Sequence, residues 1–147
     1  MKKVIPILLA LLILLTSTCF AAYEPDPNRW MSLYADDEIT EYLDVKTLQY
    51  SADGNMADFW ICYVQPKENV HRLVNQKLDK SNRTLTLIHT TKYDSVTNNV
   101  LDSIDIPLYM QKPIKITPGS VSEFYYDVLF VEIPRLASEY KQKENSN

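Results

Sequence analysis

The sequence predicts an α+β fold: an antiparallel β-sheet of about five or six strands with a C-terminal helix packed on one face. Three observations carry this. Short segments rich in Val, Ile, Thr and aromatic residues recur from Trp30 to Leu108, separated by Asp-, Asn- and Pro-marked turns. The strongest helix signal starts late, at Ser120. No internal repeat or low-complexity tract interrupts the chain.

An export signal precedes the domain. Lys2 and Lys3 lead an apolar run over residues 4–15, then Thr16-Ser17-Thr18 and a small-x-small site at Cys19-Phe20-Ala21. Residues 1–21 thus read as a cleaved signal peptide. The apolar run is shorter than the roughly 20 residues a bilayer-spanning helix needs, so no membrane span is expected after cleavage. Residues 15–18 match the pattern before a lipidated cysteine poorly, so Cys19 is not expected to carry an anchor. The product is expected to be periplasmic, secreted or cell-surface.

Residues 22–29, with Pro25 and Pro27, read as an extended leader, and residues 30–147 as one β-rich domain ending in a frayed polar tail. Trp30 opens a first strand, Asp36-Asp37 a turn, and residues 38–43 a second strand with Ile39 and Leu43 on one face. Residues 44–48 either continue it or form a short bulge. Asp53-Gly54 is the clearest reversal, since glycine supplies the positive φ that a tight turn wants. Residues 56–64 are apolar on both faces, which suits a central strand ended by Pro66.

Residues 67–82 are ambiguous. Val70, Leu73, Val74 and Leu78 fall at helical spacing, which favours an amphipathic helix, while a strand near His71 remains the alternative. The second face of the 56–64 strand then needs cover from this segment or from a second subunit, and a homodimer is the favoured expectation. Residues 84–93 and 100–108 form a second hairpin about Asn98-Asn99, with Ile104, Ile106 and Leu108 on one face. Ser120 and Glu123 make a capping box, and Val121, Phe124, Tyr125, Val128 and Leu129 repeat at helical spacing. The helix is expected to break or kink at Pro134.

Composition narrows the function. Without Lys2 and Lys3 the chain keeps 13 basic against 19 acidic residues, net −6, which gives no electrostatic reason to bind nucleic acid. Two glycines in 147 residues argue against phosphate-cradling nucleotide sites. His71 and His89 lack the local partners of a metal site, and read as an exposed polar residue and a partly buried strand residue. Apolar neighbours of Cys62 would raise its thiol pKa, against a nucleophilic role. The carboxylate run Asp36, Asp37, Glu38, Glu41 and Asp44 reads as a solvated hairpin rim. No catalytic residue, metal site or cofactor is predicted. Ten tyrosines are the remaining signal, because exposed Tyr brings contact area with a polar tip. Tyr23, Tyr34, Tyr42, Tyr109, Tyr125 and Tyr126 are the candidates for a protein-binding face, the alternative being that strands favour aromatics.

Several segments together resemble a known group. Trp30-Met31-Ser32-Leu33, residues 41–48, Phe59-Trp60-Ile61, and Ile116-Thr117-Pro118-Gly119-Ser120 leading into Glu123 are similar to small secreted bacterial proteins of the surface-adhesin Protein E family. The resemblance implies an antiparallel sheet with a C-terminal helix on one face, a strand near His71 and a loop through Lys80-Ser81-Asn82. It also implies a dimeric surface protein that binds host extracellular components such as vitronectin and laminin. The chain departs from that pattern in its weak lipidation signal and its unpaired Cys62. The expected function is therefore a non-enzymatic protein-binding module, with an envelope or host extracellular-matrix partner. An accessory periplasmic protein, and a small hydrolase or ligand carrier, are the alternatives.

Overall fold

A computed structural model describes residues 23–144; the segment expected to be a signal peptide and the last three residues lie outside them. The strands are β1 (Trp30–Ala35), β2 (Thr40–Asp44), β3 (Gln49–Tyr50), β4 (Met56–Gln65), β5 (Val70–Asp79), β6 (Thr84–Asp94), β7 (Val100–Asp105) and β8 (Ile114–Lys115). They form one antiparallel sheet in the order β1-β2-β4-β5-β6-β7. The two shortest strands share lanes: β3 follows β2 along β4, and β8 follows β7 along β6. Each of the six lanes therefore neighbours a lane close to it in sequence.

A helical run over residues 121–144 covers part of one face, as the sequence predicts. It consists of α1 (Val121–Asp127), a π-helical turn (Val128–Glu132) and α2 (Ile133–Glu144). Ser120 Oγ accepts from the Glu123 N–H at 3.2 Å, and Glu123 reaches back to accept from the Gly119 N–H at 2.7 Å. The capping box is present, with the return bond one residue earlier than in its usual form. Gly119, at φ +75°, makes the left-handed step into the cap.

Pro134 does not break the helix. A proline has no N–H and its ring clashes with the carbonyl four residues back. The chain absorbs both by widening to the π turn immediately before it, where the Ile133 N–H bonds the Val128 carbonyl. The next carbonyl in that pattern, Leu129, would need the N–H that Pro134 lacks. The Tyr50 hydroxyl donates to it instead, at 2.6 Å.

The segment expected to be helical is β5, paired with β4 and β6 along its whole length. Val70, Val74 and Leu78 recur every four residues, which fits a strand face as well as a helix face. The alternation is disguised because His71, Asn75 and Gln76 are buried. The second hairpin also differs: β7 ends at Asp105, and residues 108–110 form a 3₁₀ turn.

The helix-bearing face holds the main core: Leu43, Ala57, Phe59, Ile61 and Leu78 meet Tyr125 and Leu129 of the helix, with Ile116 alongside. The second face of β4 is covered by the leader and β1, where Trp30, Cys62 and Val64 are buried with Tyr23, Tyr42 and Leu73 packed on them. The 70s segment does not lie across that face as a helix, because it is the neighbouring strand β5. The leader is not extended throughout, since the N–H groups of Arg29 and Trp30 fold back to the Asp26 carbonyl.

Candidate functional site

The strands and the helix place the six tyrosines in different environments. Tyr34, on β1, is 49% exposed and donates to Asp36. Tyr42 faces the opposite side and packs into the second core. Tyr109, in the turn after β7, is 85% exposed. Tyr125 is buried, and Tyr126 is half-buried under the Arg83 guanidinium, 4.4 Å from its ring centroid. Tyr23 stacks on His71 at 3.7 Å. The structure does not bring these residues together on one surface.

What it does assemble is an open strand edge. All six residues of β7 are exposed, and β7 ends the sheet. Val100, Leu101, Ile104, Leu108, Tyr109, Met110 and Ile114 are each at least half exposed, so one 15-residue segment carries a long apolar surface. The Ile106 N–H turns inward to the Ile88 carbonyl at 3.0 Å, and strand alternation then points the N–H groups of Ser103 and Asp105 outward. Among the described residues no strand takes those outer groups. The sequence puts Ile104, Ile106 and Leu108 on one face of a strand; in the structure β7 ends at Asp105, and Leu108 lies in the 3₁₀ turn that follows Pro107.

Beside this edge lies an array that resembles a hydrolytic triad. His89 Nδ1 bonds Asp105, and His89 Nε2 lies 2.5 Å from Thr91 Oγ1, itself 3.1 Å from Ser103 Oγ. The order carboxylate, imidazole, hydroxyl is that of an acyl-transfer site. Thr91 is 6% exposed, however, and Asp105 lies almost entirely in solvent, so the hydroxyl has no approach for a substrate. The array ties β6 to β7. His71 is buried rather than exposed, sandwiched between Tyr23 and Tyr93 and bonded to Ser95 Oγ at 3.1 Å. Burial lowers its pKa. Cys62 is buried, and burial pushes its thiol up to about 12.

The acidic run divides by strand alternation. Asp36 caps its own turn, accepting from the N–H groups of Glu38 and Ile39. Asp44 is buried and holds Arg29 through Nε at 2.9 Å and Nη2 at 2.6 Å. Burial raises the Asp44 pKa, but Arg29 and the N–H groups of the following turn outweigh it, and the net shift is downward. Glu41 shares the helix-bearing face with Leu43 and is 9% exposed. It accepts from the Tyr125 hydroxyl at 2.8 Å, and that oxygen lies 2.7 Å from the Tyr63 hydroxyl. Burial raises both phenol pKa values, so the chain runs Tyr63 to Tyr125 to Glu41 with each phenol donating. The signal was present in sequence, because Ile39 and Leu43 set the buried phase and Glu41 sits between them.

Three cavities open on the helix-bearing face. One of about 410 Å³ has Glu41 in its lining together with Tyr34 and Phe124. A second of about 450 Å³ lies on the uncovered part of the helix-bearing face, around Tyr63, Arg72 and Leu87. A third, of about 670 Å³, is apolar and lies between α2 and Met31, Val45 and Leu48. Among the described residues no three His, Cys, Asp or Glu side chains are placed to hold a metal ion, and no helix is long and apolar enough to cross a membrane. No protein-family model matches the chain, and no curated protein matches it.

Proposed function

We propose that this protein is a non-enzymatic binding module that recognises another protein by adding a partner strand to the open edge of β7. The observation that carries this is the coincidence of free outward backbone groups with the apolar side chains of residues 100–114. Strand addition supplies affinity through main-chain bonds, and flanking pockets and side chains supply selectivity. Tyr109, almost fully exposed, is the natural anchor, since interface hot spots are enriched in tyrosine. Asp102 and Asp105 on β7, within a chain of net negative charge, favour a partner segment that is apolar with basic residues. An envelope or host extracellular-matrix protein fits the export signal and the Protein E resemblance.

The test is affinity capture with the chain from Ala22 onward, against envelope and secreted fractions and purified extracellular-matrix proteins. Two variants accompany it. Ser103→Pro removes an outward N–H while the inward N–H groups of Asp102 and Ile104 keep the backbone ladder to β6, with Ser103→Ala as the control for the lost hydroxyl contact to Thr91, and Tyr109→Ser removes the anchor. A saturable partner lost with both variants supports the reading. Capture that neither variant weakens, or no partner in any pool, overturns it.

A further inference from the structure

Strand β2 buries two carboxylates and treats them differently. Asp44, with none of its side chain accessible, is neutralised by Arg29 at 2.6 Å. Glu41 is buried nearly as deeply, yet among the described residues no Lys, Arg or His lies within ion-pair distance of it, and the Tyr125 hydroxyl is its hydrogen-bond partner. Buried carboxylates are as a rule paired, because removing an ionised group from water is costly without a counter-charge. Arg83 holds Glu123, and Arg135 holds Glu132 and Glu139; Arg72 lies two strands away in the row Glu41–Tyr63–Arg72 and is not within ion-pair distance of Glu41.

Glu41 is also not sealed in. It lines the cavity of about 410 Å³ between β1 and the start of α1, a volume at the lower end of the roughly 300–1,000 Å³ typical of small-ligand pockets. The rest of the lining is mostly apolar and aromatic. Tyr34 stands directly opposite Glu41 in the β1–β2 register, and Phe124 comes from the helix. Leu33 and Val121 complete the walls, with Phe124 41% and Val121 56% exposed at the mouth. A carboxylate in the wall of an aromatic pocket is the arrangement that selects organic cations, by charge pairing and by attraction to ring faces.

We propose that this pocket binds an alkylammonium ion, with the ammonium group on Glu41 and its apolar stem against Phe124, Tyr34 and Val121. The shared chemistry admits two sources, a free amine or the end of a lysine side chain. The site lies at the β1 side of the sheet, opposite β7, and stands whether or not the strand-edge reading does.

The experiment is titration of the chain from Ala22 onward by calorimetry, and by nuclear magnetic resonance of the backbone amides. The probes are n-hexylamine, n-hexanol, hexanoate and N-acetyl-lysine methylamide, tested against the wild type, Glu41→Gln and Phe124→Ala. Hexylammonium is expected to bind at least tenfold more tightly than hexanol, with shifts centred on residues 33–41 and 119–124, and hexanoate to be excluded. Glu41→Gln is isosteric and still accepts from Tyr125, so it should fold and lose the tenfold preference; Phe124→Ala should weaken hexylammonium and hexanol alike. A lysine derivative that binds as tightly as hexylamine assigns the site to lysyl groups, and one that does not assigns it to free amines; either outcome supports an ammonium site. Equal binding of hexanol and hexylamine, an unchanged preference in Glu41→Gln, or no shifts with any probe at millimolar concentration overturns the proposal.

Discussion

Replacing Tyr125 by phenylalanine removes one oxygen from the centre of the helix–sheet contact. The ring is buried and packs edge-on to Phe59 at 5.9 Å, so its shape is retained and the change isolates the hydroxyl. Two hydrogen bonds disappear, the donation to Glu41 at 2.8 Å and the contact with Tyr63 at 2.7 Å. A hydrogen bond to a charged group contributes about 1.5–3 kcal/mol, and a buried group left unsatisfied costs about 1–3 kcal/mol. Because the cavity lets some water reach Glu41, the lower part of that range applies, and a loss of about 2–3 kcal/mol is expected. For a domain of this size that lowers Tm by roughly 6–15 °C. Glu41→Gln separates the causes. Alone it should be close to neutral, and with Tyr125→Phe the pair should show a coupling of about 1 kcal/mol or more. Urea unfolding of all four proteins measures the cycle. A cost below about 0.5 kcal/mol for Tyr125→Phe, or strict additivity of the two changes, would refute the linked phenol–carboxylate chain.

Four further outcomes follow from the same geometry. Arg29→Ala strands the buried Asp44 carboxylate and should cost about 2 kcal/mol in chemical denaturation, whereas Lys77→Ala, which loses only an exposed pair at 3.7 Å with Asp58, should cost less than about 0.5 kcal/mol. Burial holds the His71 pKa below its unfolded value near 6.5; its stabilising contribution is therefore present above that pH and lost as pH falls toward the folded pKa, and His71→Phe should flatten this part of the stability–pH curve. Cys62 should resist a thiol reagent at pH 8 in the folded protein and become reactive when Tyr23→Ala removes a side chain packed over it; rapid labelling of the wild type would contradict its burial. Tyr50→Phe leaves the Leu129 carbonyl without its donor and should lower stability by about 1 kcal/mol, with faster amide exchange around residues 128–133; unchanged exchange there would count against the hydroxyl's role beside Pro134.

The sheet was legible where side-chain character alternates with the backbone or where both faces are apolar. β1, β4 and β6 end within a residue or so of their expected limits for that reason. β5 was not, because a four-residue repeat is a multiple of both the strand period and, nearly, the helical one, and because its polar positions are buried by neighbouring strands rather than exposed. The capping box identified the helix start, and Pro134 suggested a break or kink; the outcome, a π turn and a continuing helix, was not legible because nothing local in the sequence announces that Tyr50, 79 residues from Leu129, will satisfy the displaced carbonyl. The candidate sites were legible only in part. Glu41 and Asp44 look alike within one acidic run, and only their separation by three residues, which sends them to opposite faces, distinguishes them. The open edge of β7 depends on where pairing stops, a property of the whole sheet order that no segment carries alone.

The order of strands also bears on how the chain folds. Apart from β8, which returns to β6 past β7, each sheet contact joins segments near one another in sequence, so the meander can zip strand by strand with little loop-closure entropy at each step. The bonds that seat the helix are of another kind, spanning 84 residues between Glu41 and Tyr125 and 79 between Tyr50 and Leu129. A chain emerging N-terminus first can complete β1 to β7 while residues 121–132 are still to come, leaving Phe59, Ile61 and Leu78 without their lid. Arrival of the helix then closes the longest loops in the molecule, and the interval before it is the one in which a newly delivered chain is most exposed to aggregation.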